Sequence, residues 1–302
     1  MKLQNIILGA FVVVLSINSA SAQWNVLNSP TPQDIGKKTN DQLEYDNDMP
    51  LPYGFIDERD ILWSKNTWEI IDLDQRVNFP LYFPIDKNNI SSDRRSLYDV
   101  LITNIKNGNI TEIYKDSYFL EKTALKDIAS LEYKDITDKG KDQINAGETV
   151  SEEYIIEEFL EARDIEQWRI RGLWYIDKRL GELRYRIIGI CPVSPEAGFR
   201  VSDDISESNL VELFWVYFPA AREVLHEAKA FNKKNTSRPI SYDHLLNSRR
   251  FSGVIYREEN VYGNRDIGGV DGYISENAFM QLLESDRIKE KIRNIELDLW
   301  NY

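Results

Sequence analysis

Trp168-Arg-Ile-Arg-Gly-Leu-Trp-Tyr-Ile-Asp177, a turn containing Gly181, and then Leu183-Arg-Tyr-Arg-Ile-Ile-Gly-Ile-Cys-Pro192 decide the fold class of this chain. Trp168, Ile170, Gly172, Trp174 and Ile176 alternate with Arg169, Arg171, Leu173 and Tyr175. In the second run Leu183, Tyr185 and Ile187 alternate with Arg184 and Arg186. A period of two marks a half-buried strand, and two such runs around a short turn read as a β-hairpin. The alternation predicts that Arg169, Arg171, Arg184 and Arg186 share one face. Such a basic patch is either an exposed face neutralised by the chain's own carboxylates, or a docking surface for an acidic partner or the acidic face of a neighbouring copy. Arginine suits contacts of the second kind.

Outward from the hairpin, Leu210–Phe218 is apolar on both faces and rich in Phe, Trp, Val and Tyr, the composition of a central strand. Pro219 fits the first turn of a following helix, whose apolar stripe is predicted as Ala221, Val224, Leu225, Ala228 and Phe231. Ser96 to Lys106 reads as a short amphipathic helix carrying Leu97, Val100, Leu101 and Ile105, ended by Gly108. Near the C-terminus Ser275 can cap a helical region in which Ile288, Ile292, Ile295 and Leu299 repeat at helical spacing. Residues 109 to 165 predict short strands, a Gly-containing loop at 138–148 and an acidic helical turn near Glu152 to Glu161. The whole is α+β, a small antiparallel sheet with flanking helices and an extended N-terminal arm.

One further stretch stands out: Pro52-Tyr-Gly-Phe-Ile-Asp-Glu-Arg-Asp-Ile-Leu-Trp-Ser-Lys-Asn-Thr-Trp-Glu-Ile-Ile-Asp-Leu-Asp-Gln-Arg76. From Asp57 to Arg76 it reads as a helix. Ile61, Trp68 and Ile71 form one stripe; Leu62, Trp63, Ile70 and Leu73 form another. A helix apolar on two sides is buried on two sides. It is therefore a core helix, or one sandwiched between its own domain and a partner through Trp63 and Trp68. Asn78-Phe-Pro-Leu-Tyr-Phe-Pro84, with two prolines, is predicted non-helical.

With 302 residues, 42% of them hydrophobic, the chain can bury a substantial core. Residues 1–22 have the form of a secretory signal: Lys2, an apolar run from Ile6 to Leu15, and Ala20-Ser21-Ala22 before a cleavage point between Ala22 and Gln23. That run is too short for a confident membrane span. Gln23, rather than a cysteine, follows the cleavage point, so no lipid anchor is expected, and no direct membrane insertion. Residues 23–55 read as the extended arm, ordered only if it lies along something. Residues 56–302 read as one α+β domain, a sub-boundary near 109–165 being the alternative. The formal net charge of −13 disfavours nucleic acid and anionic membrane as partners. The single cysteine, Cys191, cannot form an internal disulfide and is expected as a buried inert thiol, the alternative being an intermolecular bridge.

The chain is poor in catalytic chemistry. His226-Glu227 would begin a zinc-protease motif, but position 230 is alanine, not histidine. His226 falls off the apolar stripe of its helix and is expected at the surface. Asp243-His244 lacks a nucleophile-elbow serine. Asp203, Asp204, Glu207 and Glu212 are close in sequence, yet nothing places two of them at a glycosidase separation. Asn264 to Asp271 lacks the calcium-loop signature and reads as a Gly-rich turn. These residues predict no enzyme, no metal and no cofactor.

Several runs resemble the GldN/PorN family of the gliding-motility and type IX secretion machinery of Bacteroidetes. They are Asp57-Glu-Arg-Asp-Ile-Leu-Trp-Ser-Lys65 with Trp68-Glu-Ile-Ile-Asp-Leu-Asp-Gln-Arg76 and Asn78–Pro84, the Pro52-Tyr-Gly54 entry, Trp174-Tyr-Ile-Asp-Lys-Arg179, Arg186–Pro192 and Glu212-Leu-Phe-Trp-Val-Tyr-Phe-Pro219. The resemblance implies a non-enzymatic periplasmic subunit. It would form a ring with copies of itself and an outer-membrane lipoprotein of the GldK/PorK type, which would hold it at the outer membrane. It would also contact the GldM/PorM motor protein. The reading from a different class is a soluble periplasmic glycan-binding protein or glycoside hydrolase using a carboxylate pair.

Overall fold

The computed structural model describes residues 40, 44, 48–86, 94–147, 149, 152–196, 210–235, 239–269, 272–274 and 277–299. The predicted signal segment, its Ala22–Gln23 cleavage point, most of the arm, Ser275, Asp203, Asp204 and Glu207 lie outside these residues. The chain divides into two units, Met1–Met49 with Asp86–Asp93, and Pro50–Ile85 with Arg94–Tyr302; everything below concerns the second.

The predicted hairpin is the centre of the molecule. Strand β5 (Gln167–Asp177) pairs antiparallel with β6 (Glu182–Pro195), and Gly181 adopts φ +64° in the turn between them. Ile170 stands opposite Ile190, and Trp174 opposite Tyr185. At Gly172 even a methyl group would collide with the Tyr185 ring, so this strand position accepts only glycine.

Strand β1 (Ile61–Asp72) pairs with β5 along nearly its whole length, for example Ile71 opposite Trp168 and Glu69 opposite Ile170. The helix expected over 57–76 is therefore a strand. Its residues are buried on two sides, as the two apolar stripes required, but that belongs here to an interior strand covered on both faces. Such a strand carries apolar residues without alternation, so the helical period matched by coincidence. The β-branched and aromatic content of Ile61, Trp63, Thr67, Trp68, Ile70 and Ile71 was the contrary signal. After Asp72 the chain turns, and Phe79–Tyr82 forms one helical turn with Pro80 in its first positions, where a proline is tolerated.

Strand β11 (Val254–Glu258) pairs with β1, while β7 (Leu210–Glu212) and β8 (Trp215–Tyr217) pair with β6, and β2 (Ile113–Tyr114) with β8. The seven-stranded sheet runs β11-β1-β5-β6-β8-β2 with β7 beside β6. Leu210–Phe218 is thus two short strands broken at Leu213-Phe214, not one. A separate two-stranded sheet joins β3 (Glu132–Ile136) and β4 (Ile155–Phe159), with helix α2 (Asp138–Asn145) between them. The expected loop at 138–148 begins as this helix; of the expected helical turn near 152–161, Glu152–Tyr154 is a 3-10 turn and Ile155–Phe159 is β4. β9 (Lys229–Ala230) and β10 (Ile240–Ser241) form another small ladder.

One sheet face carries the main core. Ile71, Trp168, Ile170, Ile187, Ile190 and Val216 pack against helices α1 (Leu97–Lys106), α3 (Phe218–Glu227) and α4 (Tyr242–Asn247) through Leu97, Leu101, Phe218, Leu225, Tyr242 and Leu246. Ser96 caps α1 by accepting from the Asp99 N–H, and Gly108 takes φ +79° beyond its end, as the sequence pattern required. Helix α3 stops at Glu227, one residue short of Ala228, and Phe231 is exposed rather than on its stripe. Helix α5 (Ala278–Leu299) lies over the β11 end, burying Ile288 and Ile292 beside Ile255 and Ile267. It also blunts that sheet edge. Ser285 Oγ accepts from the Ile255 N–H, and Lys289 Nζ donates to the Gly253 carbonyl at 2.7 Å.

The main-core face includes a carboxylate. Glu69 is completely buried on β1 and forms a bidentate pair with Arg249 at 3.0 and 2.7 Å. Arg249 stands just after α4 with φ +50°, the position where helices usually place glycine. Its N–H donates to Leu246 O and that of Arg250 to Leu245 O, closing the helix end. The left-handed backbone aims the guanidinium at Glu69 and over the Tyr185 ring, 4.3 Å away.

We predict that Arg249→Met lowers stability by about 3–5 kcal/mol in urea unfolding, because it strands a buried charge. Adding Glu69→Met should recover most of that loss; equal destabilisation in single and double variants would contradict this account.

Candidate interaction surfaces

The four arginines of the hairpin fall on the sheet face opposite the main core. Strand pairing sets Arg169 against Cys191, Arg171 against Gly189, Arg186 against Leu173 and Arg184 against Tyr175. They do not form a free basic patch. Arg169 bonds to Glu212, whose other oxygen accepts from Trp215 Nε1, and lies over the Tyr256 ring at 5.0 Å. Arg184 meets Glu182 at 3.1 Å, both side chains being well exposed. Arg171 and Arg186 instead bind carbonyl oxygens and aromatic rings.

Around Arg171 this face is an arginine–aromatic layer. Trp68, Cys191 and Trp215 are buried together with Tyr114, Phe119 and Tyr256 packed against them. Cation–ring contacts add Arg171 over Trp68 at 5.2 Å and Arg257 over Trp68 at 5.5 Å, an attractive arrangement for a guanidinium that gives up water. Arg257 is also paired with Asp266. Burial pulls the pKa of Arg171 below that of a free guanidinium, the charged form being the costlier one out of water. Cys191 is free and fully buried, its thiol pushed up by burial and donating to Pro192 O at 3.3 Å.

Trp63 and Trp68 were expected to face a partner from one helix. On a strand, positions 63 and 68 point to opposite faces. Trp68 is 1% exposed in the arginine–aromatic layer, and Trp63 is half-buried against the Ile288–Ile292 cluster. Both rings are packed within this chain, Trp68 with almost no exposure and Trp63 with part of its surface open.

Arg186 belongs to a second surface, which sequence reasoning missed. The end of the N-terminal arm is held against the body at successive backbone carbonyls. Arg222 donates to Leu51 O at 2.7 Å, Arg186 to Gly54 O at 3.1 Å and Arg179 to Phe55 O at 3.1 Å. Tyr53 lies between two guanidiniums, 4.0 Å from Arg222 and 4.6 Å from Arg186. Its hydroxyl donates to Asn247 at 2.6 Å, Asn247 donates to Asp243 at 2.8 Å, and Asp243 pairs with Arg222 at 2.8 and 3.1 Å. The result is a closed ring of contacts joining the arm to α3 and α4. Leu51 and Phe55 remain 79% and 83% exposed, so the arm is clasped by polar contacts while its apolar side chains face outward. A Tyr-Gly pair after a proline carries no signal for a clasp whose arginines lie more than 120 residues away.

A cleft of about 340 Å³ lies beside α5, lined among others by Trp174, Leu183, Ile255 and Ile292, with the Glu69–Arg249 pair in its wall. Glu69 is occupied by Arg249 there. His226 is half-buried rather than at the surface, and His244 is exposed. Among the described residues no three His, Cys, Asp or Glu side chains converge as a metal site would require. Also among them, no helix is long and apolar enough to cross a membrane.

A family described as gliding motility associated protein GldN matches residues 56–301. No curated protein matches the chain.

Burial pushes the Tyr53 phenol up to about 12, from the 10.0 of a free tyrosine. A raised folded-state value means that the phenol's contribution is complete below pH 10 and is lost as the pH climbs towards 12. Tyr273 is pushed up to about 12 as well, so absorbance titration should show several late phenolates of which Tyr53→Phe removes one, and limited proteolysis should find the arm released over the same range. Below pH 10, Tyr53→Phe should cost about 1 kcal/mol for the hydrogen bond to Asn247; an unchanged late titration in that variant would reject the assignment.

Proposed function

The chain belongs to the GldN family, a component of the gliding-motility and type IX secretion machinery, and from that premise we propose that it is a non-enzymatic, exported structural subunit. In this reading it sits in the periplasm and assembles into a ring with copies of itself and an outer-membrane lipoprotein of the GldK/PorK type. It also contacts a motor protein of the GldM/PorM type. The lipoprotein holds it at the outer membrane, and its work is binding and transmission of force or gating, without turnover.

The observation that carries this reading is the extent of the family match, residues 56–301, which takes in the whole central sheet and every helix packed on it. Physical features of the surface support it. A subunit in a ring meets its neighbours through two different faces, because a head-to-tail contact closes only when the two are complementary. Here the outward Leu51 and Phe55 of the clasped arm and the exposed Arg184 offer two chemically distinct surfaces. Among the candidate arginines, Arg184 carries the lightest structural duty, since its pair with Glu182 is solvent-exposed and contributes little to stability.

Affinity purification of the tagged full chain from detergent-solubilised envelopes tests the reading. The expected product is a very large complex containing an outer-membrane lipoprotein, and a lone monomer reproducibly free of envelope partners would overturn it. Arg184→Glu should shrink that complex while leaving the unfolding free energy within about 0.5 kcal/mol of the parent. Undiminished assembly would remove Arg184 from the interface.

A further inference from the structure

The arginine–aromatic layer is covered by one loop. From the sheet edge at β2 the chain makes a hairpin loop closed by Lys115 N–H to Glu121 O and Thr123 N–H to Ile113 O, both at 3.0 Å. Residues 115–121 fold back from that edge across the face. Phe119 packs on Gly189 of β6, where an added Cβ would stand 2.5 Å from the ring, and is flanked edge-on by Tyr114 and Tyr217 at 5.2 and 5.5 Å. Tyr118 reaches β1, its ring 5.8 Å from Trp68. To achieve this Phe119 adopts φ +61°, a left-handed backbone that bulky residues avoid.

Three arginines lie in this layer, and they are not equivalent. Arg169 has Glu212 and Arg257 has Asp266. Arg171 has one neutral acceptor, the Ser117 carbonyl of the loop at 2.6 Å, together with the rings of Trp68, Tyr118 and Phe119. Its Nε is buried with no acceptor among the described residues. Asp116 and Glu259 act on it only through space. A guanidinium is a fork shaped for a carboxylate, and here a lone carbonyl occupies it.

We propose that the 115–121 loop is a flap standing in for a partner, and that Arg171, Gly189 and the rings of Trp68, Tyr114 and Tyr217 form a seat for an acidic segment of another protein that bears an aromatic side chain. The flap shows what the seat accepts: an aromatic ring on Gly189 and an oxygen on Arg171. A segment bringing a carboxylate replaces that single bond to a neutral carbonyl with a bidentate ion pair, which is substantially stronger. Lifting the flap releases the left-handed backbone of Phe119. Because only the open fraction binds, the closed flap weakens the apparent affinity in proportion to its population. This proposal rests on the reading of the chain as a binding subunit; ring assembly does not enter its test, so the two fail separately.

The test measures fluorescence anisotropy of a labelled Glu-Glu-Tyr-Phe-Glu-Glu peptide with the full chain and its Phe119→Ala variant. A Lys-Lys-Tyr-Phe-Lys-Lys peptide and a Glu-Glu-Ala-Ala-Glu-Glu peptide serve as comparisons, and urea unfolding confirms that each variant is folded. Phe119→Ala, which unseats the flap, should bind the acidic aromatic peptide about tenfold or more tightly than the parent. Adding Arg171→Gln should abolish that gain, and Gly189→Ala, which fills the seat, should bind none of the three. Equal affinity in the parent and Phe119→Ala would overturn the proposal, as would binding that survives Arg171→Gln or equal binding of the basic peptide. Self-association of Phe119→Ala without peptide binding would assign the seat to a second copy and overturn it as well.

Discussion

A carboxylate buried in the middle of a sheet face is the constraint around which this fold is arranged. Glu69 is completely buried on β1, and an uncompensated charge there would cost several kcal/mol. The compensation comes from Arg249, 180 residues later, at 2.7 and 3.0 Å. For that contact to exist, α4 must end where it does and Arg249 must accept a backbone conformation that glycine normally takes. The Tyr185 and Trp174 rings must also stand beneath its guanidinium, which requires the β5–β6 register seen here. Gly172 in turn makes room for Tyr185. Helix end, strand register and ring packing are satisfied together or not at all.

Arginine is used repeatedly in this way, as a connector between elements distant in sequence. Arg222 joins α3 to α4 through Asp243 and to the arm through Leu51 O and Tyr53. Arg186 and Arg179 fasten the same arm to the hairpin. Arg171 ties β5 to the 115–121 loop. A guanidinium can stack on a ring with its face while donating from its edge, so one residue both packs and satisfies a carbonyl.

For a member of a machinery family, this construction matters more than any pocket. The sheet and helices supply a packed body, while the arm and the flap are attached chiefly by polar and aromatic contacts. Both leave apolar side chains outside: Leu51 and Phe55 on the arm, Leu120 on the flap. The side chains they expose are of the kind interfaces cover.

Strong local signals settled much of the architecture in advance. The period-two hairpin, the Ser96-capped helix, Pro219 at the start of α3 and the C-terminal helix needed no more than spacing, because each is governed by residues within a turn or two. The motif resemblance likewise pointed to the family. Local signals failed where burial is set by distant chain. β1 carries apolar residues on both faces because helices cover one side and the 115–121 loop helps cover the other, and no period distinguishes that from a helix buried all round. The four arginines could be placed on one face by alternation, but their engagement by Glu212, Ser117, Glu182 and Gly54 could not. Glu182 is two residues from Arg184 on the same strand, but Glu212, Ser117 and Gly54 come from other turns and strands, and only closing the sheet brings them within hydrogen-bonding distance. Sequence by itself determined which segments could be strands or helices and what family they resemble; the tertiary structure decided which charges are spent inside the molecule, because pairing over 40 to 180 residues depends on topology, not on pattern.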